Sequence, residues 1–253
     1  MKSARVPALP PASGQPVYLD VTGQGELSWD RGVPFATIYS PRPAPGVAVV
    51  ASDGVMCTAG MAVESEDGHD WGYLSAGHCN PTAGDRTLSY NSSKDQLLVP
   101  LAAMTGARDD NAGVDSGALW IAWEGESRIA GTWPVAGVLA NPAALPAGTM
   151  VCLLGAVSGT QCGALVDADD RGRLRFAAES VDGDSGAPVF VVDAETGYAT
   201  LLAILEGGDD FTTTATYLDP ALDRLGAVAV VDPRAAATVA DRPGYSGRVT
   251  MAD

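Results

Sequence analysis

The sequence predicts an all-β fold, and three features indicate it. The chain of 253 residues contains 30 glycines and 17 prolines, which favour turns. Short segments rich in valine and threonine recur along it, bounded by glycine, aspartate, asparagine or proline. The clearest helical pattern, DPALDRLGAV, comes near the end. Short strands at such regular spacing are typical of a barrel or a sandwich.

The strand-length segments fall into two groups of about six on either side of residue 126, which would suit two similar barrels. The first group reads VMCTAGMAV, WGYLSA, RTLSY, QLLVPLAAM and SGALWIAW. The second group reads WPVAGVLA, TMVCLLGAV, CGALVDA, RLRFAA, APVFVVD, YATLLAILE and TTTATYLD. In the helix that follows, Asp219 is the expected N-cap, Pro220 the first helical residue and Gly226 the stop signal.

These patterns divide the chain into four parts. Residues 1–45 are rich in proline and are expected to form an extended arm. A first barrel is predicted over residues 46–125 and a second barrel with the helix over residues 126–230. Residues 231–253 show no periodicity and are expected to form a loose tail.

The composition argues against two classes of partner. The formal net charge is −16, whereas nucleic acid and anionic membranes attract clustered lysine and arginine. No apolar run approaches the roughly 20 residues that span a bilayer. We therefore expect no nucleic acid and no membrane as partners. We also expect a monomer that uses no cofactor.

The chain has four cysteines: Cys57, Cys79, Cys152 and Cys162. They lack the C-x-x-C spacing, and the only other soft ligands are His69 and His78, so no metal site is expected. The cysteines fall into two local pairs, each within apparent β-structure. We interpret them as disulfides, with buried free thiols as the alternative.

Disulfides indicate an oxidising compartment, so an extracellular location is expected. The first residues, MKSARVPALPPASGQP, carry two positive charges but no continuous apolar region, and no signal peptide is visible. A truncated start or another export route would reconcile the two observations.

The segment VDGDSGAPVF, residues 181–190, contains a candidate nucleophile. The Ser185 hydroxyl needs a base, a group that orients the base, and donors for the oxyanion that forms. Gly183 permits a tight turn in which the N–H groups of Gly183 and Ser185 point at a developing negative charge. Asp184 is interpreted as a buried ion-pair anchor of this turn with an unidentified cationic partner. The alternative is a GDSG turn without chemistry.

The order of residues along the chain restricts the base. An α/β-hydrolase needs a histidine after its serine, and none follows His78 in LSAGHC. A subtilisin-like order is possible with Asp53 or Asp67, but it predicts alternating helices and strands that are missing from the pattern. The order His, Asp, Ser remains. His69 lies in a polar turn and is not expected to be the base.

The orienting carboxylate must lie between His78 and Ser185. The segment DDNAGVDSGALWIAW offers Asp109, Asp110 and Asp115. Asp115 enters a strand, where a carboxylate can be buried beneath an imidazole, whereas the other two resemble loop carboxylates in solvent. We favour Asp115.

Further segments follow one another over roughly residues 47–230: MCTAGMAV and GYLSAGHC, VDSGALW, GTMVCLLGAVSGTQCGAL, GDSGAPVF, LLAILEGG and TTATYLDPALDRLG. In this order they resemble the chymotrypsin-like serine proteases, specifically the streptogrisin-like branch from actinobacteria. They match, in turn, the first disulfide loop with the T-A-G-H-C motif, the aspartate strand, the second-barrel hairpin, the G-D-S-G-G-P serine loop, the substrate-pairing strand, and the closing strand and helix. Ser75 replaces the usual threonine and Ala187 the last glycine.

The resemblance implies two perpendicular six-stranded antiparallel barrels with the active site in the cleft between them. His78 would be the general base, Asp115 would orient it, and Ser185 would attack the scissile carbonyl. The N–H groups of Gly183 and Ser185 would form the oxyanion hole.

The resemblance also implies two disulfides, Cys57–Cys79 and Cys152–Cys162. It places Glu206, Gly207 and Gly208 on the strand that binds substrate, where both glycines would give a peptide backbone access to an open edge. Glu206 departs from the family, which usually has serine there. It would repel Asp115, favour a basic residue of the substrate, or lie exposed at the end of the strand.

The sequence therefore predicts a serine endopeptidase that acts on proteins or peptides. A catalytically inactive module with a protease fold, which binds partners or serves as a scaffold, is the alternative. An esterase that uses the same triad is a third reading.

Overall fold

The computed structural model describes residues 16–26, 37–80, 86–110, 114–122, 124–209 and 211–252. Seventeen strands of these residues form two large sheets, and two short α-helices follow near the end of the chain. No helix in the described residues is long and apolar enough to cross a bilayer.

The first sheet is built mainly from strands of the N-terminal half. These strands are β1 (Ala48–Ala51), β2 (Met56–Thr58), β3 (Ala62–Ser65), β4 (Trp71–Ser75), β5 (Arg86–Asn91), β6 (Leu98–Asp110) and β7 (Val114–Ile121). They pair antiparallel in the order β3–β4–β7–β6–β5–β1–β2.

The strands β2 and β3 are two halves of one bent segment, and the bend closes this sheet. Beside the bend, Ala59 N donates to Val47 O at 2.8 Å, and Gly60 N donates to Leu74 O at 2.7 Å. A Cβ on Gly60 would lie 2.7 Å from Leu74 O, so only glycine permits this approach. The segment therefore pairs with both β1 and β4, and six strands form the first barrel.

The second sheet contains the strands that follow. They are β8 (Arg128–Ile129), β9 (Trp133–Val138), β10 (Met150–Gly155), β11 (Gly159–Ala168), β12 (Arg173–Phe176), β13 (Pro188–Val192), β14 (Ala199–Gly208) and β15 (Thr213–Tyr217). The ring β10–β11–β12–β15–β14–β13 closes when β13 pairs with β10, giving a six-stranded antiparallel barrel. The predicted all-β fold with two antiparallel barrels is confirmed.

The strand β13 lies between two hydrophobic cores. Successive side chains of a strand point to opposite faces, and here both faces are buried. Val189 and Val191 pack in the core of the second barrel. Phe190 and Val192 pack in the larger core that includes the first barrel. The serine-bearing turn, which immediately precedes β13, is thereby placed at the junction of the two barrels.

The helix α1 (Leu218–Leu225) ends at Gly226, which has φ +59°, as the sequence predicts. Its beginning differs from the prediction, because Tyr217 is the N-cap and Asp219 lies in the first turn. Pro220 is accordingly the third helical residue.

The chain after α1 returns to the first barrel. Strand β16 (Ala227–Val231) pairs with β3, not with the second barrel, and β17 (Val249–Met251) pairs parallel to β16. Between them lies α2 (Pro233–Ala236). Residues 231–252 are therefore not the loose tail that was expected, because backbone pairing to β16 holds their end.

Of the predicted N-terminal arm, the structure describes residues 16–26 and 37–45. Leu19 N donates to Val192 O at 2.9 Å, and Ile38 N donates to Ala156 O at 2.7 Å. Residues 16–26 lie against the second barrel. Residues 37–45 also contact the first barrel, where Ser40 N donates to Asn91 O at 3.2 Å and the Tyr73 hydroxyl donates to Pro43 O at 2.7 Å. Residues 1–15 and 27–36 lie outside the described residues.

Candidate active site

His78 lies in a short 3₁₀ turn, Gly77–Cys79, just after β4. The turn packs closely on β6, since a Cβ on Gly77 would lie 2.1 Å from Arg108 O. Glycine before His78 is therefore a steric requirement. The His78 side chain is about one third exposed, so the ring faces both protein and solvent.

Asp115 lies on β7 and is fully buried against this turn. Its Oδ2 is 2.7 Å from His78 Nδ1, and its Oδ1 accepts a hydrogen bond from His78 N at 2.9 Å. The carboxylate therefore fixes both the ring and the backbone of His78. Of the candidates whose side chains the structure describes, Asp109 and Asp115, Asp115 is the one that contacts His78. Asp109 is exposed on β6 opposite Asp115, and the side chain of Asp110 lies outside the described residues.

The surroundings raise the pKa of His78 above its usual 6.5. The hydrogen bond to Asp115 is the largest cause, and burial of the ring opposes it. The negative charges of Asp115, Asp109 and Glu206 add to the rise. The site therefore stabilises an imidazolium, the species that forms when a histidine removes a proton.

The turn that carries Ser185 is held against the ends of β2 and β4. Thr58 N donates to Ser185 O at 2.7 Å. Gly186 has φ +89°, and a Cβ there would lie 2.2 Å from the Oγ of Ser75, three residues before His78. These close contacts bring the serine turn and the histidine turn to the same junction.

Two features of the serine turn bear on its chemistry. Gly183 has φ +100°, a conformation that glycine adopts readily. Among the hydrogen bonds of the described residues, neither Gly183 N nor Ser185 N donates to a protein acceptor. The Ser185 hydroxyl likewise makes no hydrogen bond to the His78 ring within the described part of the chain. Such bonds are often long in ligand-free enzymes and tighten with substrate.

Asp184 anchors the serine turn, but not through an ion pair. The residue is fully buried. Its Oδ1 accepts hydrogen bonds from Val157 N at 2.9 Å and Ser158 N at 3.1 Å, and its Oδ2 from Val181 N at 3.0 Å. No cationic partner of Asp184 occurs among the described residues, so the predicted ion pair is wrong. Backbone N–H groups compensate its charge instead.

Glu206, Gly207 and Gly208 line a cavity of about 590 Å³ together with His78 and Asp115. A register shift between Leu205 and Gly207 marks a bulge at Glu206, and bulges redirect side chains. Leu205 still exchanges backbone hydrogen bonds with Gly186 and Ala187. Past Leu205, β14 pairs with β15 only, so within the described residues its other edge is open from Glu206 to Gly208.

The Glu206 carboxylate is paired with a cation. Its Oε1 lies 2.9 Å from Arg173 Nη2, a contact that the sequence did not predict. Burial is the main cause that raises the pKa of Glu206, and the charges of Asp115 and Asp109 add to it. Arg173 and His78 oppose the rise. Arg173 lies 33 residues away on another strand, so no local signal identified it.

Both predicted disulfides are confirmed. Cys57–Cys79 joins β2 to the histidine turn, and Cys152–Cys162 joins directly opposed residues of β10 and β11. Among the described residues, Cys57, Cys79 and His78 form a group with ligand atoms within 4.8 Å of one another. Its two sulfurs are bonded to each other and are not free thiolates.

Two barrels with a His–Asp pair and a GDSG turn at their junction have the fold of chymotrypsin-like serine proteases. Thermobifida fusca protease A is similar to this chain, with a TM-score of 0.58 and 20% identity over 74% of this chain and 98% of that one. Cellulomonas bogoriensis chymotrypsin gives a TM-score of 0.52 and 20% identity, with the same coverages.

A glutamic acid-specific serine protease that uses a histidine triad in substrate binding also has this fold. It gives a TM-score of 0.56 and 17% identity over 74% of this chain and 100% of that one. No protein-family model and no curated protein sequence matches the chain. At these identities, the likeness establishes the shared fold.

Proposed function

We propose that this protein is a serine endopeptidase with the triad His78, Asp115 and Ser185. The observation that carries the proposal is the contact of the buried Asp115 carboxylate with His78 Nδ1 at 2.7 Å, at the junction that also holds the serine turn. Burying a carboxylate against an imidazole costs free energy of desolvation. The arrangement is expected where the other ring nitrogen acts as a base, because the carboxylate then orients the ring.

In the proposed mechanism Asp115 keeps the proton of neutral His78 on Nδ1, which leaves Nε2 free to accept one. Ser185 Oγ attacks the scissile carbonyl carbon while its proton passes to His78 Nε2. The carbonyl oxygen becomes an oxyanion that the N–H groups of Gly183 and Ser185 stabilise. His78 then protonates the leaving amine, and an acyl-enzyme remains on Ser185. Water then attacks the acyl carbon while His78 takes its proton. The bond from this carbon to Ser185 Oγ breaks, His78 returns the proton to Oγ, and the acid product leaves.

The substrate is proposed to be a peptide segment in extended conformation. The edge of β14 from Glu206 to Gly208 is open beside His78, and nothing lies within 4 Å of a Cβ position on Gly207. An extended peptide can add to such an edge through backbone hydrogen bonds. Arg173 opposes the rise in the pKa of Glu206 and so offsets part of the repulsion by Asp115.

The two disulfides support the further proposal that the protein acts outside the cell, where such bonds persist.

A binding module without catalysis is the second candidate. The observation that favours it is the lack of a hydrogen bond between Ser185 and His78 in the described residues. A module of this kind would use the same open edge to bind a peptide without cleaving it.

Labelling with a fluorophosphonate probe separates the two candidates. The endopeptidase should be labelled at Ser185, and Ser185→Ala and His78→Ala should abolish labelling. His69→Ala is the matched control, since His69 is the other histidine of the chain and is exposed. Folded wild-type protein that takes no label, or mutants that label equally, would exclude the proposed function.

A peptide library with a Ser185→Ala control would then define the cleavage preference. Comparison of matched ester and amide substrates tests the esterase reading, which predicts turnover of the ester only.

A further inference from the structure

We propose that Thr58 is a positioning residue that holds the two oxyanion-binding residues in place. This inference rests on the proposed function and extends it. Thr58 is the last residue of β2, in the first barrel, and is fully buried. It lies at the junction of the barrels and contacts no substrate in the proposed mechanism, so its effect is exerted through its neighbours.

Thr58 makes four hydrogen bonds, three of them across the junction to the second barrel and one within the first barrel. Its N donates to Ser185 O at 2.7 Å, and its Oγ1 donates to Gly183 O at 2.9 Å. Its Oγ1 also accepts from Ala156 N at 3.0 Å, and its carbonyl oxygen accepts from Ser75 Oγ at 2.8 Å. The donor and one acceptor site of the hydroxyl are thus both used.

Two of these hydrogen bonds, from Thr58 N and Thr58 Oγ1, reach backbone carbonyl oxygens of the serine turn. They hold the carbonyl oxygens of Gly183 and Ser185, the same residues whose N–H groups are proposed to bind the oxyanion. Since peptide units are planar, the direction of N–H relative to C=O in one residue depends only on its φ and ψ. The Asp184 carboxylate holds Val181 N, so holding the Gly183 carbonyl as well restricts the dihedrals between these two points and with them the direction of the Gly183 N–H.

Gly183 is the residue that needs such restraint most. Glycine has the widest choice of backbone conformations, and Gly183 sits at φ +100°. The side-chain carboxylate of its neighbour Asp184 accepts hydrogen bonds from Val157 N and Ser158 N, which anchors the turn to the second barrel. The Thr58 hydroxyl supplies the restraint on the Gly183 side, so the two side chains hold the turn from different elements.

The same residue is tied to the proposed base. Thr58 follows Cys57, which is bonded to Cys79, the neighbour of His78. Thr58 therefore links the oxyanion-binding turn to the segment that presents the base. The hydrogen bond from Thr58 to Gly183 crosses between the two barrels and joins residues that are 125 positions apart in the sequence.

Thr58→Val tests the hydroxyl, since valine has nearly the same shape but neither donates nor accepts. Thr58→Ser keeps the hydroxyl and loses the methyl group. The matched control is Thr160→Val, another buried threonine whose hydroxyl donates to a backbone carbonyl, that of Gln24, at 2.7 Å and away from the site. If Thr58→Val does not fold, Thr58→Ala removes the hydroxyl without adding a methyl group.

Steady-state kinetics on a chromogenic ester should separate kcat from KM. Loss of a whole oxyanion donor costs about 10²–10³ in kcat, so a donor that is only misdirected should cost roughly 10- to 100-fold. We expect this loss in kcat for Thr58→Val with KM little changed. Thr58→Ser should restore most of the rate, and Thr160→Val should match wild type.

A spectroscopic measurement distinguishes positioning from general destabilisation. The phosphoryl oxygen of the fluorophosphonate adduct on Ser185 would occupy the oxyanion site, so its ³¹P resonance reports the donors around it. This resonance should move in Thr58→Val and stay in place in Thr58→Ser and Thr160→Val. A merely structural role would lower thermal stability in Thr58→Val without moving the resonance.

The outcomes separate the two proposals. Suppose that the wild-type protein is labelled and active, and that Thr58→Val equals Thr160→Val in kcat and in ³¹P position. This result overturns the role of Thr58, and the proposed protease function stands. Folded wild-type protein that neither turns over ester nor takes the label refutes the protease, and the role of Thr58 is refuted with it.

Discussion

Replacing Asp184 with asparagine should destabilise the protein through the serine-bearing turn. The carboxylate of Asp184 is fully buried and accepts hydrogen bonds from Val157 N, Ser158 N and Val181 N at 2.9–3.1 Å. Asparagine has one acceptor oxygen and one amide nitrogen that only donates. If the oxygen keeps Val157 and Ser158, the amide nitrogen faces the N–H of Val181, and two donors oppose each other.

The magnitude follows from the bonds. A hydrogen bond to a charged group contributes about 1.5–3 kcal/mol, and a neutral one about 1 kcal/mol. The substitution removes one charged bond and turns two into neutral bonds, while relief of the buried charge offsets part of the loss. We expect a net loss of about 2–4 kcal/mol. For a chain of this size that corresponds to roughly 5–15 °C in Tm.

Thermal unfolding measured by circular dichroism tests this, in a Ser185→Ala background that prevents self-digestion. Asp182→Asn is the matched control, because Asp182 lies in the same turn but is exposed. In the active protein, Asp184→Asn should also lower kcat, since the turn carries the nucleophile. Equal Tm values for the two variants would refute the reasoning that the buried carboxylate holds the turn.

Three further predictions concern the base and its support. Asp115→Asn should lower kcat by about 10⁴, because the amide nitrogen would face a donor of His78 whichever way it is turned and disfavour the tautomer that can act as base. The acidic limb of the pH profile of kcat/KM should lie above pH 6.5. Activity needs neutral His78, and the hydrogen bond to Asp115 raises the pKa of this residue. Glu206→Gln removes a negative charge that contributes to the rise, so it should move the acidic limb to lower pH. Replacing Cys57 and Cys79 with serine should cost about 3 kcal/mol for a loop closed over a separation of 22 residues, measured by urea unfolding, and should also lower kcat.

Each of these has its own control. Asp109→Asn should retain most of the activity, and a comparable loss there would contradict the assignment of Asp115. An acidic limb that stays in place in Glu206→Gln would show that its charge does not reach His78. The Cys152→Ser/Cys162→Ser variant should be destabilised by a similar amount with kcat preserved, and equal kcat losses in the two disulfide variants would contradict a special role for Cys57–Cys79.

Local signals in the sequence were sufficient for much of the architecture. The alternation of short apolar segments with turn residues predicted two groups of strands, and Gly226 correctly marked the end of α1. Order along the chain and the resemblance to a known family together placed Asp115 beside His78, and the structure shows these residues in contact. Such features succeed because they depend on nearby residues or on motifs that recur as a unit.

Other features could not be read from local patterns. Asp184 was expected to pair with a cation, but backbone N–H groups compensate its charge, and these leave no trace in residue identity. Arg173 reaches Glu206 only because the second barrel places them side by side. The end of the chain was expected to be loose, since three-residue strands have too little pattern to be recognised before their partner is known.

The sequence by itself determined the all-β fold, the residue types of a His–Asp–Ser arrangement and, with the family resemblance, the pairing of the cysteines. Only the tertiary structure decided how the serine turn is held: Thr58 N and Oγ1 from the first barrel meet Ser185 O and Gly183 O before β13 of the second. The physical reason is that these hydrogen bonds join atoms far apart in the chain. Three of the four atoms belong to the backbone, which every residue shares, so their meeting depends on how the barrels pack.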